Sequence, residues 1–257
     1  MHMKDGDIMH NFFVDSSAKH GNCYVIDGND YNHIKNVLRM SEGDIFLVSS
    51  EGQSDLCTLR SFEGESVIAE IKEENFQNTE LPVKIYLFQG LPKSDKMELI
   101  IQKTVELGAY AVIPVEMNRC VVKLDDKKKK SKTTRWQAIA ESAAKQSKRT
   151  VIPTVYDAVT YKAAVSMASE LDMFIVPYES KNGMKDTAEA LKKATSCKSL
   201  GIFIGPEGGF EESEINHALD AGGITVSLGK RILRTETAAI SAVSMCMLNS
   251  EMNSDGE

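Results

Sequence analysis

Two consecutive strand–loop–helix patterns occupy residues 200–238, and this repeat constrains the fold more than any other feature of the sequence. Residues 200–204 form a short apolar run that predicts a buried strand. The sequence Gly-Pro-Glu-Gly-Gly at 205–209 ends that strand, because glycine allows positive φ and proline lacks an N–H donor. A helix is predicted next, ending at Gly222 and with an apolar face of Ile215, Ala218 and Leu219.

A second pattern of the same kind follows at once. It predicts a strand at 224–228, a loop at 229–234 and a helix that runs to residue 247 with Thr235 as its N-cap. Two such loops at the carboxyl edge of one parallel sheet would form a crevice for a ligand. The sequence therefore predicts a ligand site made by loops 205–209 and 229–234.

The chemistry of the first loop narrows the class of ligand. The loop lacks the Lys-Ser/Thr pair of a phosphate-binding P-loop and does not match G-x-G-x-x-G. Glu207, Glu211 and Glu212 also place carboxylates near the helix N-terminus, where a phosphate would need positive charge. A neutral or cationic ligand held by backbone groups fits better, and an adenosine with a sulfonium group is one such molecule. The alternative is that the loop is only a sharp turn.

Charge is distributed unevenly along the 257 residues, whose net charge is −7. Residues 1–78 contain six basic and 14 acidic side chains, whereas residues 119–149 contain 11 basic and three acidic ones. Local fields rather than totals govern phosphate contact, so the basic stretch is a candidate RNA contact. The alternative is a solvated lysine-rich loop at residues 127–132.

Cysteine, histidine and hydropathy patterns exclude several classes of protein. Five scattered cysteines without a C-x-x-C spacing indicate neither a disulfide framework nor a zinc site, and the five histidines show no ligand spacing, so we expect no metal. No apolar run approaches the roughly 20 residues that span a bilayer, and the N-terminus lacks the apolar core of a signal peptide. We therefore expect a cytoplasmic protein with no membrane contact.

The glycine loops carry a resemblance to a known family. Residues 205–209, together with Leu228-Gly229 and residues 233–238, resemble the last two motifs of the SPOUT methyltransferases, which have a trefoil-knotted fold. The likeness is strongest to the RsmE family, which methylates N3 of a uridine in 16S (small-subunit) ribosomal RNA. The resemblance covers nearly the whole chain from Met9. It implies S-adenosyl-L-methionine as cofactor, a homodimer, and a target within the assembled 30S subunit.

The N-terminal part is predicted to be a small β-barrel. Residues 1–8 are interpreted as a flexible leader, and residues 9–78 contain short strands separated by glycine-bearing turns. A helix at 30–39 interrupts them, with Ile34, Val37 and Leu38 predicted to face inward. The resemblance implies a PUA-like, RNA-binding barrel, in which Lys35 and Arg39 would contact RNA.

The fold class expected for residues 79–250 is α/β, because strands and helices alternate throughout. This predicts a mostly parallel sheet with helices on both faces, followed by a tail at 251–257. The trefoil knot enters only through the resemblance. Predicted helices include 95–108 and 133–148, and the lysines and arginine beside them that are expected to contact RNA are Lys93, Lys103, Lys145 and Arg149. Lys96 is interpreted as a surface residue that aids solubility.

The resemblance also implies the residues of the active site. Backbone groups would hold S-adenosylmethionine at Pro177, Tyr178, Gly205, Pro206, Gly209, Leu228, Gly229, Leu233 and Thr235. Arg119 and Arg234 would stabilise the uracil imidate or a phosphate, and Glu207 is a candidate proton acceptor. The alternatives are an ion pair between Arg234 and Glu236 and a simple loop hydrogen bond for Glu207.

Other functions remain open at this point. A non-catalytic RNA-binding or ribosome-assembly module would have the barrel and the basic stretch but would bind the cofactor weakly or not at all. A SPOUT enzyme could instead methylate a ribose 2′-hydroxyl. A nucleotide hydrolase is disfavoured because the P-loop lysine is missing.

Overall fold

The computed structural model describes residues 9–178 and 183–254. The predicted leader at 1–8, Glu179 in the loop after Tyr178, and residues 255–257 of the predicted tail lie outside the described residues. The chain divides into two compact units. The first ends at Glu80 and also includes Ala144–Val151, and the second comprises Leu81–Ala143 and the chain from Ile152 onward.

The first unit is built on a six-stranded mixed sheet. Its strands pair in the order β1-β4-β5-β6-β3-β2, and all pairs are antiparallel except β1 with β4. Alternate side chains of these strands point inward and form an apolar core that includes Phe12, Phe46 and Leu59. In chain order the strands are β1 (Asn11–Phe13), β2 (Lys19–His20), β3 (Cys23–Ile26), β4 (Ile45–Ser50), β5 (Gln53–Glu63) and β6 (Ser66–Gln77).

The helix of the first unit differs from the prediction. A short α-helix, α1 (Gly28–Asn32), continues as a π-helical turn at His33–Val37, in which the N–H of Leu38 bonds to the carbonyl of His33. Ile34 is fully buried as predicted, but Val37 is exposed, so its predicted inward position is wrong. The wider π turn breaks the 3.6-residue spacing on which that prediction rested.

Residues 144–151 are held in the first unit by polar contacts. The Arg149 side chain is buried and pairs with the Glu80 carboxylate, which also accepts the N–H groups of Thr150 and Val151. Asn11 Nδ2 donates to the Arg149 carbonyl at 2.9 Å. A buried charge needs such a partner, so this pair anchors the segment.

The second unit is a parallel sheet with helices between its strands. The order is β10-β8-β7-β12-β11-β13, with β9 beside β8, and every one of these pairs is parallel. The predicted parallel sheet is confirmed, while the trefoil knot stays a prediction. The strands are β7 (Lys84–Gly90), β8 (Ala109–Glu116), β9 (Thr154–Val155), β10 (Val159–Thr160), β11 (Met173–Pro177), β12 (Ser199–Ile204) and β13 (Ile224–Val226).

The helices of the second unit follow the predicted periodicity with local exceptions. They are α2 (Lys96–Glu106), α3 (Asp126–Gln146), α4 (Tyr161–Ala168), α5 (Met184–Ala194), α6 (Glu212–Asp220) and α7 (Thr235–Ser254). The last three residues of α3 belong to the first unit. The apolar spacing of α2 predicts one inward face, and that face is buried in full: Met97, Ile100, Ile101, Thr104 and Val105. On α6, Ile215 and Ala218 are buried but Leu219 is exposed, so that part of the predicted face is wrong. Helix α7 ends at Ser254 rather than at residue 247.

The lysine-rich run belongs to a helix rather than to a loop. Helix α3 begins at Asp126, so residues 127–132 form its first turns. Asp125 accepts the N–H of Lys128 and pairs with its ammonium at 3.1 Å, and Lys129 pairs with Glu116 at 3.0 Å. The alternative of a solvated loop is therefore wrong. Asp125 and Asp126 next to the helix N-terminus stabilise a helix that composition alone would not predict.

Candidate active site

The carboxyl ends of the central parallel strands bring the two glycine loops to one edge of the sheet. Gly90 ends β7, residues 205–209 follow β12, and residues 227–234 follow β13. Strand β11 lies between β12 and β13 in the sheet, and Tyr178 follows it. The Tyr178 N–H donates to the Val226 carbonyl at 3.0 Å. The predicted crevice therefore has the expected place in the fold.

The first glycine loop is a tight turn. Gly209 has φ +68°, and its N–H donates to the Pro206 carbonyl at 2.9 Å. A Cβ on Gly205 would lie 3.2 Å from the Gly209 carbonyl carbon, whereas a Cβ on Gly209 would meet no atom within 4 Å. A side chain at Gly205 would crowd the Gly209 backbone, whereas at Gly209 the positive φ favours glycine although the space beside it is open.

Gly90 belongs to the same site but is not among the residues predicted for it. A Cβ at Gly90 would lie 2.7 Å from both Cδ and N of Pro206, so the end of β7 packs directly against the first glycine loop. The signal in the sequence is a glycine at the end of a buried strand, which often marks a close backbone approach.

Glu207 is held by Lys93, in the loop before α2, and by Lys96, the first residue of α2. Its carboxylate accepts the N–H of Lys93 at 3.0 Å and the ammonium of Lys96 at 3.0 Å. Burial raises the pKa of the Glu207 carboxyl, but the ion pair and the backbone N–H lower it more, so the pKa lies below its ordinary value. An ionised, paired carboxylate favours the loop hydrogen bond over the proton acceptor, and the catalytic assignment of Glu207 stays a prediction.

Lys96 connects the first glycine loop to the start of α7, so its interpretation as a residue for solubility is wrong. Its ammonium also lies 3.4 Å from Oε2 of Glu236, which is close enough for an ion pair but out of line for a hydrogen bond. Glu236 lies in the first turn of α7, and the hydrogen bond to Glu207 raises the pKa of Lys96. The ammonium thus separates two carboxylates that would otherwise repel each other.

The two predicted catalytic arginines differ in their contacts. Arg119 Nη1 donates to the Gly208 carbonyl at 3.0 Å, and a Cβ on Gly208 would lie 2.9 Å from Arg119 Cβ. Arg119 therefore contacts the first glycine loop directly. Arg234 is exposed, and Glu236, its predicted alternative partner, is paired with Lys96 instead. The Arg234 guanidinium makes no ion pair with any residue that the structure describes.

Carboxylates already occupy the N-terminus of α6. Glu211 and Glu214 form a capping box, in which the Glu211 N–H donates to Glu214 Oε2 at 2.9 Å. Asn118 joins them, since its N–H donates to Glu214 and its Nδ2 donates to Glu211 at 2.8 Å. Two carboxylates therefore lie at this helix end, in agreement with the argument against a phosphate ligand.

The second glycine loop is ordered by hydroxyl groups. The Ser227 hydroxyl accepts the N–H of Gly229, which has φ +106°, and Thr187 Oγ1 donates to the Ser227 carbonyl at 2.9 Å. Thr235 begins α7, and its hydroxyl donates to the Gly205 carbonyl at 2.7 Å. The remaining predicted cofactor residues are half-buried around this loop: Pro177, Tyr178, Leu228 and Leu233.

The predicted RNA contacts fall into free and paired groups. Arg39 is exposed. The Lys35 ammonium lies over the rings of Tyr31 and Phe62 and donates a hydrogen bond to Tyr31 Oη. Arg149 is 3 % exposed and paired with Glu80, so its prediction as a phosphate contact is wrong. Of the other three predicted contacts, Lys93 is exposed. Lys103 forms an ion pair with Glu106, and Lys145 forms one with Asp30.

Two further features of the described residues bear on function. Within residues 9–178 and 183–254, none of the helices combines the length and apolar composition that crossing a bilayer requires. The same residues contain no group of three or more His, Cys, Asp or Glu side chains that could hold a metal ion. All five cysteines are free thiols.

Comparison with known proteins agrees with this geometry. Residues 79–247 match the family model described as an RNA methyltransferase domain, and residues 26–72 match the RNA methyltransferase PUA domain. The chain is 42 % identical over 233 residues to ribosomal RNA small subunit methyltransferase E of Bacillus subtilis, covering 89 % of this chain and 91 % of the relative. The corresponding protein of Aquifex aeolicus is 31 % identical over 244 residues, which are 93 % of this chain and 99 % of that protein.

Solved structures extend the likeness to the fold. The crystal structure of a ribosomal RNA small subunit methyltransferase E from Neisseria gonorrhoeae, bound to S-adenosyl methionine, superposes with a TM-score of 0.78 at 32 % identity. It covers 92 % of this chain and 95 % of that one. The predicted family and the predicted PUA-like first unit are confirmed. The chain belongs to the RNA methyltransferase family, as a member of its ribosomal RNA small subunit methyltransferase E group.

Proposed function

We propose that the protein transfers a methyl group from S-adenosyl-L-methionine to N3 of one uridine in 16S (small-subunit) ribosomal RNA. The observation that carries the proposal is the crevice at the carboxyl edge of the parallel sheet, in a chain of this family. The enzyme acts in the cytoplasm as a homodimer, on RNA within the assembled 30S subunit. Its relative from Neisseria gonorrhoeae binds the same cofactor, which supports the cofactor assignment.

The residues of the crevice fit that cofactor. Its two glycine loops offer backbone N–H and carbonyl groups, and the space beside Gly209 is open. Glu207 and Glu236 place two carboxylates near the loops, which suits a cationic ligand better than an anionic one. The cofactor supplies an electrophilic methyl group on its sulfonium. Backbone groups at Gly205, Gly209, Leu228 and Leu233 would hold it.

The protein must then prepare the uracil nitrogen. N3 is an imide nitrogen that keeps its proton at neutral pH, so it must be deprotonated before it can attack a methyl group. Arg234, exposed and without an ion pair among the described residues, is positioned to stabilise the anionic imidate or a neighbouring phosphate. Arg119, which donates to the Gly208 carbonyl in the first glycine loop, is the second proposed cation. Glu207 remains a candidate acceptor of the proton.

The target uracil must be unpaired and turned out of the RNA helix to reach the crevice, because N3 lies on the base-pairing edge. Lys35 and Arg39 on the first unit, and Lys93, Lys103 and Lys145, are the proposed phosphate contacts. Removing an exposed lysine or arginine that neutralises a phosphate should weaken RNA binding and make it less dependent on salt concentration.

Calorimetric titration with S-adenosylmethionine tests the cofactor assignment, with Gly209→Val and Gly222→Val as a matched pair. Both glycines have positive φ and open space at the Cβ position, but Gly222 follows α6 at the opposite edge of the sheet. Binding that is lost only with Gly209→Val supports the proposal. Absence of binding to the folded wild-type protein would instead favour the non-catalytic RNA-binding module.

A further inference from the structure

A buried polar chain lies beneath the two glycine loops. Gln89, the penultimate residue of β7, is fully buried, and its Nε2 donates to Thr235 Oγ1 at 3.0 Å and to the Gly90 carbonyl at 2.9 Å. The Thr235 hydroxyl in turn donates to the Gly205 carbonyl at 2.7 Å. The Gln89 side chain is thereby connected to Gly90 and Thr235 directly, and to Gly205 through Thr235.

The direction of each hydrogen bond follows from the chemistry of the groups. The Gly205 carbonyl can only accept, so the single hydroxyl proton of Thr235 is used on it. Thr235 Oγ1 must then accept from Gln89, and the Gly90 carbonyl must also accept from Gln89. The amide orientation of Gln89 is therefore fixed, with Oε1 buried and without a hydrogen-bond partner among the described residues.

A glutamine at this place is costly unless its donors are needed. A buried amide oxygen without a partner destabilises the fold, and a methionine of similar shape would avoid that penalty. The two donated bonds join segments far apart in sequence, since Gln89 and Thr235 are separated by 146 positions. What the bonds secure is the orientation of the Gly205 peptide and the start of α7, the two points between which the crevice lies.

We infer that Gln89 is a positioning residue for the cofactor crevice and that it acts through Thr235, whose hydroxyl holds the Gly205 peptide. This inference rests on the proposed use of S-adenosylmethionine. A loop held in its binding conformation before the ligand arrives loses less entropy on binding. Loss of either donor therefore weakens cofactor binding even though neither side chain need touch the cofactor.

Three variants separate the donors from the shapes of the side chains. Gln89→Met keeps length without donors, Thr235→Val keeps shape without the hydroxyl, and Thr235→Ser keeps the hydroxyl. The Kd for S-adenosylmethionine should rise roughly tenfold for Gln89→Met and for Thr235→Val, the effect of losing one buried hydrogen bond. Thr235→Ser should bind like the wild type. The double variant should resemble each single one, because both changes break the same chain.

Thr104→Val is the matched control for a structural effect. Thr104 is also fully buried, and its hydroxyl donates at 2.7 Å to the Ile100 carbonyl within α2, away from the glycine loops. It should lower the melting temperature and leave the Kd unchanged. The inference is overturned if folded Gln89→Met and Thr235→Val bind with the wild-type Kd, or if Thr235→Ser is as impaired as Thr235→Val.

Hydrogen exchange of the cofactor-free protein provides a readout that does not depend on the proposed function. The amides of Gly209 and Ala238 are bonded within the loop and at the start of α7, at 2.9 and 2.8 Å. Both should exchange faster in Gln89→Met than in the wild type or Thr104→Val. Unchanged exchange overturns the inference. Faster exchange in a protein that does not bind the cofactor would sustain the positioning role and refute only the proposed function.

Discussion

Gly90→Ala should damage the active site through a single added methyl group. The new Cβ would lie 2.7 Å from Cδ and from N of Pro206, closer than real Cβ contacts occur, and 2.9 Å from Met117 Sδ. The methionine can move, but the proline ring and its backbone cannot move without displacing the first glycine loop. Gly90 has no positive φ, so alanine adds no backbone strain and the clash alone decides the outcome.

The expected magnitude follows from the cost of overpacking. Forcing a methyl group into a packed site costs about 2 kcal/mol, which corresponds to a fall of roughly 4–8 °C in Tm for a unit of this size. Because the strain is relieved by moving the loop, affinity for S-adenosylmethionine should fall as well. Thermal unfolding and calorimetric titration measure the two effects on the same preparation.

Gly201→Ala provides the matched comparison. Gly201 also lies in the sheet without positive φ, and its Cβ would lie 2.8 Å from Phe174 Cβ in the apolar core. We expect a similar fall in Tm with an unchanged Kd for the cofactor. Wild-type stability and affinity in Gly90→Ala, or an equal loss of cofactor affinity in both variants, would contradict this prediction.

Three further predictions concern charges and thiols. Glu80→Ala leaves the buried Arg149 without its carboxylate and should destabilise the first unit by about 3 kcal/mol in urea unfolding, whereas removing both charges should cost less. The pKa of Glu207 lies below its ordinary 4.5, so its stabilising effect is present above that pH and is lost as the pH falls through the lowered value. The Tm difference between wild type and Glu207→Gln should therefore shrink on acidification, and a difference independent of pH would contradict the ion pair. Burial raises the pKa of the Cys57 and Cys246 thiols to about 12, so iodoacetamide at pH 8 should modify the other three cysteines first, as followed by mass spectrometry.

Much of the fold could be predicted because local pattern and tertiary structure agree. In α2 the apolar spacing predicts all five buried positions, and the short apolar run at 200–204 is a strand. The π turn at His33–Val37 could not be predicted, since its extra residue per turn depends on packing rather than on composition. The α3 start at Asp126 was missed because a lysine run has no apolar periodicity.

The loops of the candidate site could be predicted from the sequence, but the residues that hold those loops in place could not. Glycine and proline at 205–209 mark a backbone that must turn sharply, and that information is local. Lys96, Gln89 and Gly90 support the loops through contacts over more than a hundred positions, which no local pattern contains. The prediction of Arg149 as an RNA contact is wrong for the same reason, because its partner Glu80 lies 69 positions away.

Analysis of the methylated nucleoside tests directly whether the protein methylates N3 of a uridine in small-subunit RNA. Small ribosomal subunits that lack the modification are incubated with the protein and with S-adenosylmethionine carrying a labelled methyl group, and the RNA is digested to nucleosides for mass spectrometry. We predict labelled 3-methyluridine from the small-subunit RNA, and its loss with Arg234→Ala in a protein that remains folded. A label found on a ribose 2′-hydroxyl, or no label at all with active cofactor binding, would contradict the account.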